Sequence, residues 1–391
     1  MLPVGRAVKA LAFALALVGC AGDPVCPLAP GLDAAQCATL AAMRGADAPP
    51  PSPTNARADD LATATLGFLW FFDASFSRDH DLHCASCHAV ERKFGDGVPV
   101  AIGLATGTRN TPSVLDAARR DHGFFWDGRA DVLWAPPILA LENPLEMGST
   151  RLALAHRLAD RYADRYAAIF GPLPDLADTV RFPDIGKPGD PAWDAMAPAD
   201  QDAINRVAAN FGKALEAYMR KLATGPSPFD RFLDGDATAL TDAQRHGVEV
   251  FVSAGCATCH GGPLLSDGGY HDLGVPAWDG VADDPGRAAG IALERAQIFA
   301  PDGPYADAPV TIAIAAPTPE DAGALRTPSL RNVSLTGPYM HNGRFATLAE
   351  AIEFHAPAPL TADDTAALVE LMAAFDGRYP GAPWRTWPDT P

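Results

Sequence analysis

Two five-residue stretches constrain this 391-residue chain more than anything else in it: Cys-Ala-Ser-Cys-His at 84–88 and Cys-Ala-Thr-Cys-His at 256–260. Each sets two thiols three residues apart with an imidazole directly after the second. A structural zinc site groups four ligands, commonly as two pairs, and a redox dithiol needs no adjacent histidine. Cys-x-x-Cys-His is instead the attachment pattern of a c-type haem. Cys84 and Cys87, and again Cys256 and Cys259, supply the thioethers, while His88 and His260 bind iron on one face of the ring. Two such anchors predict a mainly α chain: two cytochrome c-like haem domains with long loops and little strand. The 35 glycines and 37 prolines agree with the long loops.

The start of the chain reads as an export signal. Arg6 and Lys9 precede an apolar run, Ala10 to Val18, that is too short to span a bilayer. "LVGC", Leu17 to Cys20, is the lipobox pattern, so residues 1–19 are expected to be a lipoprotein signal peptide. Cys20 then anchors the protein on the periplasmic side of a bacterial membrane, the outer one, with no other membrane contact. Residues 20–57 are rich in Pro and Ala and read as a tether. Cys26 and Cys37 lie within it. In an oxidising compartment they are expected to form a disulfide, the alternative being two free thiols. The net charge of −18 argues against a nucleic-acid partner.

Apolar residues at helical spacing predict helices over 150–171 and 201–222. A third begins after Thr241, a candidate N-cap, and runs into the second anchor. "ATGPSPFDRFLDGD" interrupts the pattern between them. The chain is accordingly divided into an N-terminal haem domain at 58–232 and a C-terminal haem domain at 233–391. The second half reads as a diverged copy of the first.

Function turns on the sixth iron ligand, because iron bound on both faces passes electrons whereas an open face can bind peroxide. No Met or His occurs from Ala89 through Asp121, and His80 and His83 precede the cysteines too closely to reach the opposite face. The first haem is therefore a candidate open site.

Several further stretches occur in order: "TRNTPSVLDA" (108–117), "FFWDGRADVLWAPPILALENPLEMG" (124–148) and "LRTPSLRNVSLTGPYMHNGRFATLAEAIEFH" (325–355). With the two anchors, they make the chain resemble the bacterial dihaem cytochrome c peroxidases and their MauG relatives over roughly residues 60 to 375. The resemblance implies that Trp126 lies between the haems and passes electrons, and that Glu146 is the acid–base carboxylate for peroxide cleavage. It also implies a calcium ion between the domains, held by the Asn110 side chain and the carbonyls of Thr336 and Pro338, an oxygen donor set that suits calcium. Ala140 and Pro136 depart from the family pattern beside Glu146.

At the sixth ligand of the second haem the family uses a methionine, or a tyrosine in MauG. The matching residue here is His355, with His341 and Met340 as rivals. A histidine favours oxidised iron, so His260 and His355 together imply a second haem that shares high-valent oxidation with the first. The resemblance thus implies an enzyme that reacts with hydrogen peroxide and, through a high-valent dihaem state, oxidises an aromatic side chain of a partner protein. That side chain would be a tryptophan. The methanobactin-associated, MbnH-like branch, whose partner is a copper-binding protein, is one such group. One alternative is a cytochrome c peroxidase fed by a small cytochrome or cupredoxin. Another is a dihaem electron carrier without catalysis. Where MauG carries an exit tryptophan, this chain has Ala254, leaving Trp278, Trp384 and Trp387 as candidates.

Overall fold

A computed structural model of the chain describes residues 26–45 and 48–388. The signal peptide and Cys20 lie outside the described residues. None of the described helices is long and apolar enough to cross a membrane.

Two helical cores form, one around each anchor. In the first, helix Leu61–Phe71 runs toward Cys84 and is buried on nearly every face, through Ala64, Leu66, Phe68, Trp70 and Phe71. Asp60 caps it by accepting from Thr63 N. It crosses the long helix Pro198–Met219, where the Trp70 ring stacks on Phe211 at 5.4 Å between centroids. Helix Arg151–Phe170 closes the layer. Its buried Leu154, Leu158, Tyr162 and Tyr166 follow helical spacing, and Thr150 caps it. In the second core, helix Asp242–Ser253 runs toward Cys256 and crosses helix Ala362–Ala374. Both carry capping boxes, at Thr241/Gln244 and Thr361/Asp364. Strand is confined, among the described residues, to Tyr270–His271 paired antiparallel with Leu325–Arg326, plus isolated bridges.

The two halves repeat one design. In each, the helix before the anchor meets its partner through a glycine. A Cβ on Gly67 would lie 1.9 Å from the Ala214 carbonyl oxygen, and one on Gly247 would lie 2.4 Å from that of Ala367. After each anchor comes a Thr-Pro-Ser loop, Thr111–Ser113 and Thr327–Ser329. Its serine donates to a carbonyl of the post-anchor turn: Ser113 Oγ to Lys93 O at 2.5 Å, and Ser329 Oγ to Leu264 O at 2.6 Å. Three residues beyond each serine stands a left-handed residue, Asp116 at φ 55° and Asn332 at φ 63°, each opening a 3₁₀ turn. Asp and Asn are the side chains that tolerate this conformation best after glycine.

The segment read as a tether is fixed to both cores. The Cys26–Cys37 disulfide is formed, and Cys26, Ala29, Leu32, Leu40 and Met43 are buried in the second core. Gly45 N donates to Asp230, and Arg331 donates to the Met43 carbonyl. Further along, Asn55 donates to Lys213 O and Glu216 on the first core, and Trp134 Nε1 donates to Thr54. Proline content signalled a loop, but buried leucines and paired polar groups make that loop a strap. The domain division also shifts. Helix Pro228–Leu233 buries Phe229 and Phe232 in the second core, so the boundary falls before Pro228 rather than at 232/233. Phe299 and Tyr305 return to the first core, with Trp384 packed against it.

Replacing Gly247 with alanine tests the crossing. Helix propensity favours alanine by about 1 kcal/mol, while overpacking a close contact costs about 1–3 kcal/mol. The Gly247→Ala holoprotein is expected to melt below wild type in calorimetry. A higher melting temperature would show that the helices are not in contact there.

Candidate functional site

Each anchor forms a tight turn that presents its histidine. His88 Nδ1 lies 3.1 Å from the Phe94 carbonyl, and His260 Nδ1 lies 3.2 Å from that of Leu265. Those carbonyls also receive the backbone N–H of Val114 and Leu330 from the Thr-Pro-Ser loops. Tying Nδ1–H to a carbonyl fixes the tautomer and frees Nε2 for a metal. Burial keeps both rings neutral, with His260 pushed down to about 4, and the neutral ring is the form that binds a metal. None of Cys84, Cys87, Cys256 and Cys259 is taken up in a disulfide. Paired thiols and an Nδ1-tied histidine thus fit a covalently held haem at both anchors.

On the second anchor, helix Leu348–His355 ends with its last residue facing His260. The ring centroids are 6.2 Å apart and the planes are inclined at 71°. His355 Nδ1 is bonded to the Ala351 carbonyl, so its Nε2 is also free. With metal–imidazole distances of about 2.0–2.1 Å on either side, this separation admits one metal atom between the rings. The rival His341 packs elsewhere, edge-on to Trp126 with centroids 6.4 Å apart. His260, His355, Trp126, His341 and Glu146 all line one cavity of about 1160 Å³.

Trp126 sits where the two halves meet. "FFWDGRA" (124–130) and "YMHNGRF" (339–345) are the same turn, bridged at Phe124/Ala130 and at Tyr339/Phe345. Phe125 and Met340 are both left-handed, as are Gly128 and Gly343. Trp126 and His341 therefore occupy equivalent positions and touch across the interface. Their carbonyls are exchanged reciprocally: Asn110 N donates to His341 O at 2.6 Å, and Arg326 N donates to Trp126 O at 2.8 Å. Trp126 Nε1 donates to the Asn110 carbonyl at 2.9 Å. Asn110 donates its side-chain amide to Val98 O, which points the amide nitrogen away from any cation the side chain would hold. Three residues before the His341 that Asn110 bonds stands Pro338, and Thr336 lies just upstream.

Glu146 follows helix Pro136–Glu142 and is held against the first anchor. Its carbonyl accepts from Leu104 N, and the neighbouring Ile102 carbonyl lies 3.9 Å from Cys87 Sγ. Burial raises its carboxyl above the ordinary value. Asn143, which donates at 2.6 Å, and the Arg129 charge oppose that rise in part. A carboxyl whose proton is held more tightly in this way is suited both to take and to return a proton. Ala140, in the preceding helix, stands as far beyond Trp126 as His355 stands beyond His341. The position that His355 holds in the second half is thus a methyl group in the first.

The sequence reading did not find the reciprocal pairing of Asn110 and Arg326, or the equivalence of Trp126 and His341. The repeated Thr-Pro-Ser and Gly-Arg pairs were the available signal.

Comparisons with known proteins show the family and the fold. The family Di-haem cytochrome c peroxidase (CCP_MauG) matches residues 61–238. The chain is 31% identical over 335 residues to cytochrome-c peroxidase IdrP2 of Pseudomonas sp. strain SCT, which covers 82% of this chain and 83% of that protein. It is 29% identical over 300 residues to the methylamine utilization protein MauG of Methylophilus methylotrophus, with 75% and 72% covered. Its fold is similar to the crystal structure of a MauG-like protein associated with microbial copper homeostasis. The TM-score is 0.62 at 24% identity, over 86% of this chain and 96% of that one.

Proposed function

The chain belongs to the di-haem cytochrome c peroxidase family of peroxidase-type, dihaem c-type oxidoreductases, and on that premise we propose that it uses hydrogen peroxide to oxidise an aromatic side chain, a tryptophan, of a partner protein at long range. The observation that carries this reading is His355 facing His260 at 6.2 Å in the second site, where a thioether would instead favour a reduced iron.

The geometry supports the following roles. Cys84 and Cys87 would hold the first haem and His88 would bind its iron. Cys256 and Cys259 would hold the second, with His260 and His355 as its iron ligands. When bound, the haems supply the iron that takes two electrons' worth of oxidation from peroxide. Ala140 leaves the far side of the first site without a ligand. Glu146, its carboxyl raised by burial, takes the proton from one peroxide oxygen and returns it to the other. Trp126, packed on His341 between the halves, passes electrons between the two sites. Asn110, with the carbonyls of Thr336 and Pro338, holds a calcium ion at the same junction, where it would pin the Trp126 and His341 turns together.

Export and lipid anchorage through Cys20 place this chemistry on the periplasmic side of a membrane. The structural neighbour associated with copper homeostasis suggests a copper-binding protein as the partner. A second reading is favoured by the 31% identity to a cytochrome-c peroxidase: reduction of peroxide with electrons from a small donor protein.

Mixing the fully ferric holoprotein with peroxide separates the two readings. The partner-oxidising enzyme is expected to react at once and give a long-lived oxidised spectrum. A reaction that waits for one haem to be reduced would establish the donor-fed peroxidase. His355→Ala is expected to convert the second haem from low spin to high spin in electron paramagnetic resonance, and an unchanged low-spin signal would remove His355 as its ligand. Glu146→Gln is expected to slow the peroxide reaction by about 10²- to 10⁴-fold. In wild type the rate is expected to rise with pH through a pKa above 4.5, because the raised carboxyl becomes a base only above it. That titration is lost in the variant.

A further inference from the structure

Two buried carboxyls stand behind the Trp126 turn and take no part in the roles assigned above. Asp131 directly follows that turn in the first half, and Glu294 lies on helix Gly286–Arg295 of the second. Each is 5% exposed, and neither lines the cavity that holds His260, His355 and Glu146. Asp131 accepts from Gly123 N at 3.1 Å, and Glu294 meets Asp131 in a side-chain hydrogen bond. Two carboxyls can hydrogen-bond to each other only when one of them carries a proton.

The surrounding charges allow that proton to stay. Burial and the Asp131 carboxylate push the Glu294 carboxyl up to about 8, opposed by Arg287, whose Nη2 lies 2.6 Å from Glu294 Oε2. The same guanidinium donates to the carbonyls of Asp127 at 3.1 Å and Gly128 at 2.7 Å, and lies 4.5 Å over the Tyr270 ring. Burial keeps the Tyr270 phenol protonated, pushed up to about 12. Arg120 lies toward Tyr270 and Asp121, and burial lowers it to about 10. Arg326 donates to the carbonyls of Phe125 and Thr327.

The helix that carries Glu294 grips the turn that carries Trp126. A Cβ on Gly290 would lie 2.1 Å from the Asp127 carbonyl oxygen. Arg287 holds the two carbonyls that follow Trp126. Gly286, Gly290 and Glu294 recur four residues apart on the buried face of the helix, so a force on Glu294 acts on the face that touches the turn. We propose that Asp131 and Glu294 share one proton and that this proton clamps helix Gly286–Arg295 onto the Trp126 turn, making Glu294 and Arg287 positioning residues for that tryptophan. When the proton leaves to solvent, two buried carboxylates repel, and the helix and the Arg287 bonds are pushed off the turn. The folded carboxyl keeps its proton to higher pH than the unfolded chain does. Its stabilisation is therefore complete on the acid side and is lost as the pH rises toward about 8. The effect on electron passage rests on the role proposed above for Trp126; the shared proton does not.

The test compares holoprotein with its Glu294→Gln variant. Glutamine donates to Asp131 as the protonated carboxyl does, and it cannot ionise. In calorimetry the two are expected to melt together at about pH 5, with wild type melting lower at about pH 9. Asp131→Asn removes the other charge and is expected to lessen the same fall. The infrared difference between wild type and Glu294→Gln at neutral pH is expected to show one protonated carboxyl, a comparison that leaves Glu146 out. Hydrogen exchange over residues 123–131 and 286–295, followed by mass spectrometry, is expected to be severalfold faster in wild type than in Glu294→Gln on the alkaline side and equal on the acid side. Melting temperatures that fall in parallel, or a missing carboxyl band, would overturn the shared proton. Equal exchange on both sides would overturn the clamp. No peroxide enters the experiment, so a failure here is distinct from a failure of the proposed reaction.

Discussion

A buried carboxylate stands at the centre of the molecule. Asp116 is 8% exposed and accepts from four donors: Arg119 Nε at 2.7 Å, Thr224 N at 2.8 Å, Thr224 Oγ1 at 2.6 Å and Asn332 Nδ2 at 2.8 Å. Asp116 and Asn332 are equivalent residues of the two halves, so this bond joins the repeats at their common junction. A buried charge with every lone pair engaged is tolerated, whereas one left unpaired costs about 3–5 kcal/mol. The junction is therefore fixed in one geometry. Asn332 Oδ1 extends it by accepting from Gly377 N, and Gly225 pairs with Arg378 beside it.

What that geometry positions is the pair of turns carrying Trp126 and His341. They touch because Asn110 and Arg326 each reach across the interface to the other half's turn. Each of these residues directly precedes a Thr-Pro-Ser loop, and each loop braces the turn that orients a haem-binding histidine. The proximal histidines, the junction tryptophan and the interdomain bonds thus form one connected frame. A duplicated unit turned on itself would place the two iron sites in equivalent surroundings. At three equivalent positions on this frame the side chains differ: Ala140 against His355, Trp126 against His341, Asp116 against Asn332.

On the proposed reading those differences give the two sites different work. His260 and His355 would hold the second iron on both faces, which suits electron passage, and the methyl of Ala140 would leave the first site free for a small reactant. Glu146 belongs to the first half and sits beside its anchor, where burial raises its carboxyl toward the range useful for proton transfer.

The sequence by itself determined the covalent chemistry and the class of fold. Cys-x-x-Cys-His carries its ligands within five residues, so no tertiary information is needed to read it. Helical periodicity and capping residues such as Thr241 are equally local. The family motifs pointed to Glu146, Trp126 and His355 through their order along the chain. The tertiary structure alone decided the rest, because the rest depends on residues distant in sequence. Composition makes residues 20–57 read as a tether, and only the fold bonds Asn55 and Thr54 to the first core. Helix Pro228–Leu233 could be assigned to the second core only through what Phe229 packs against. His341 and His355 were rivals in sequence, and only the folded chain puts one on Trp126 and the other opposite His260.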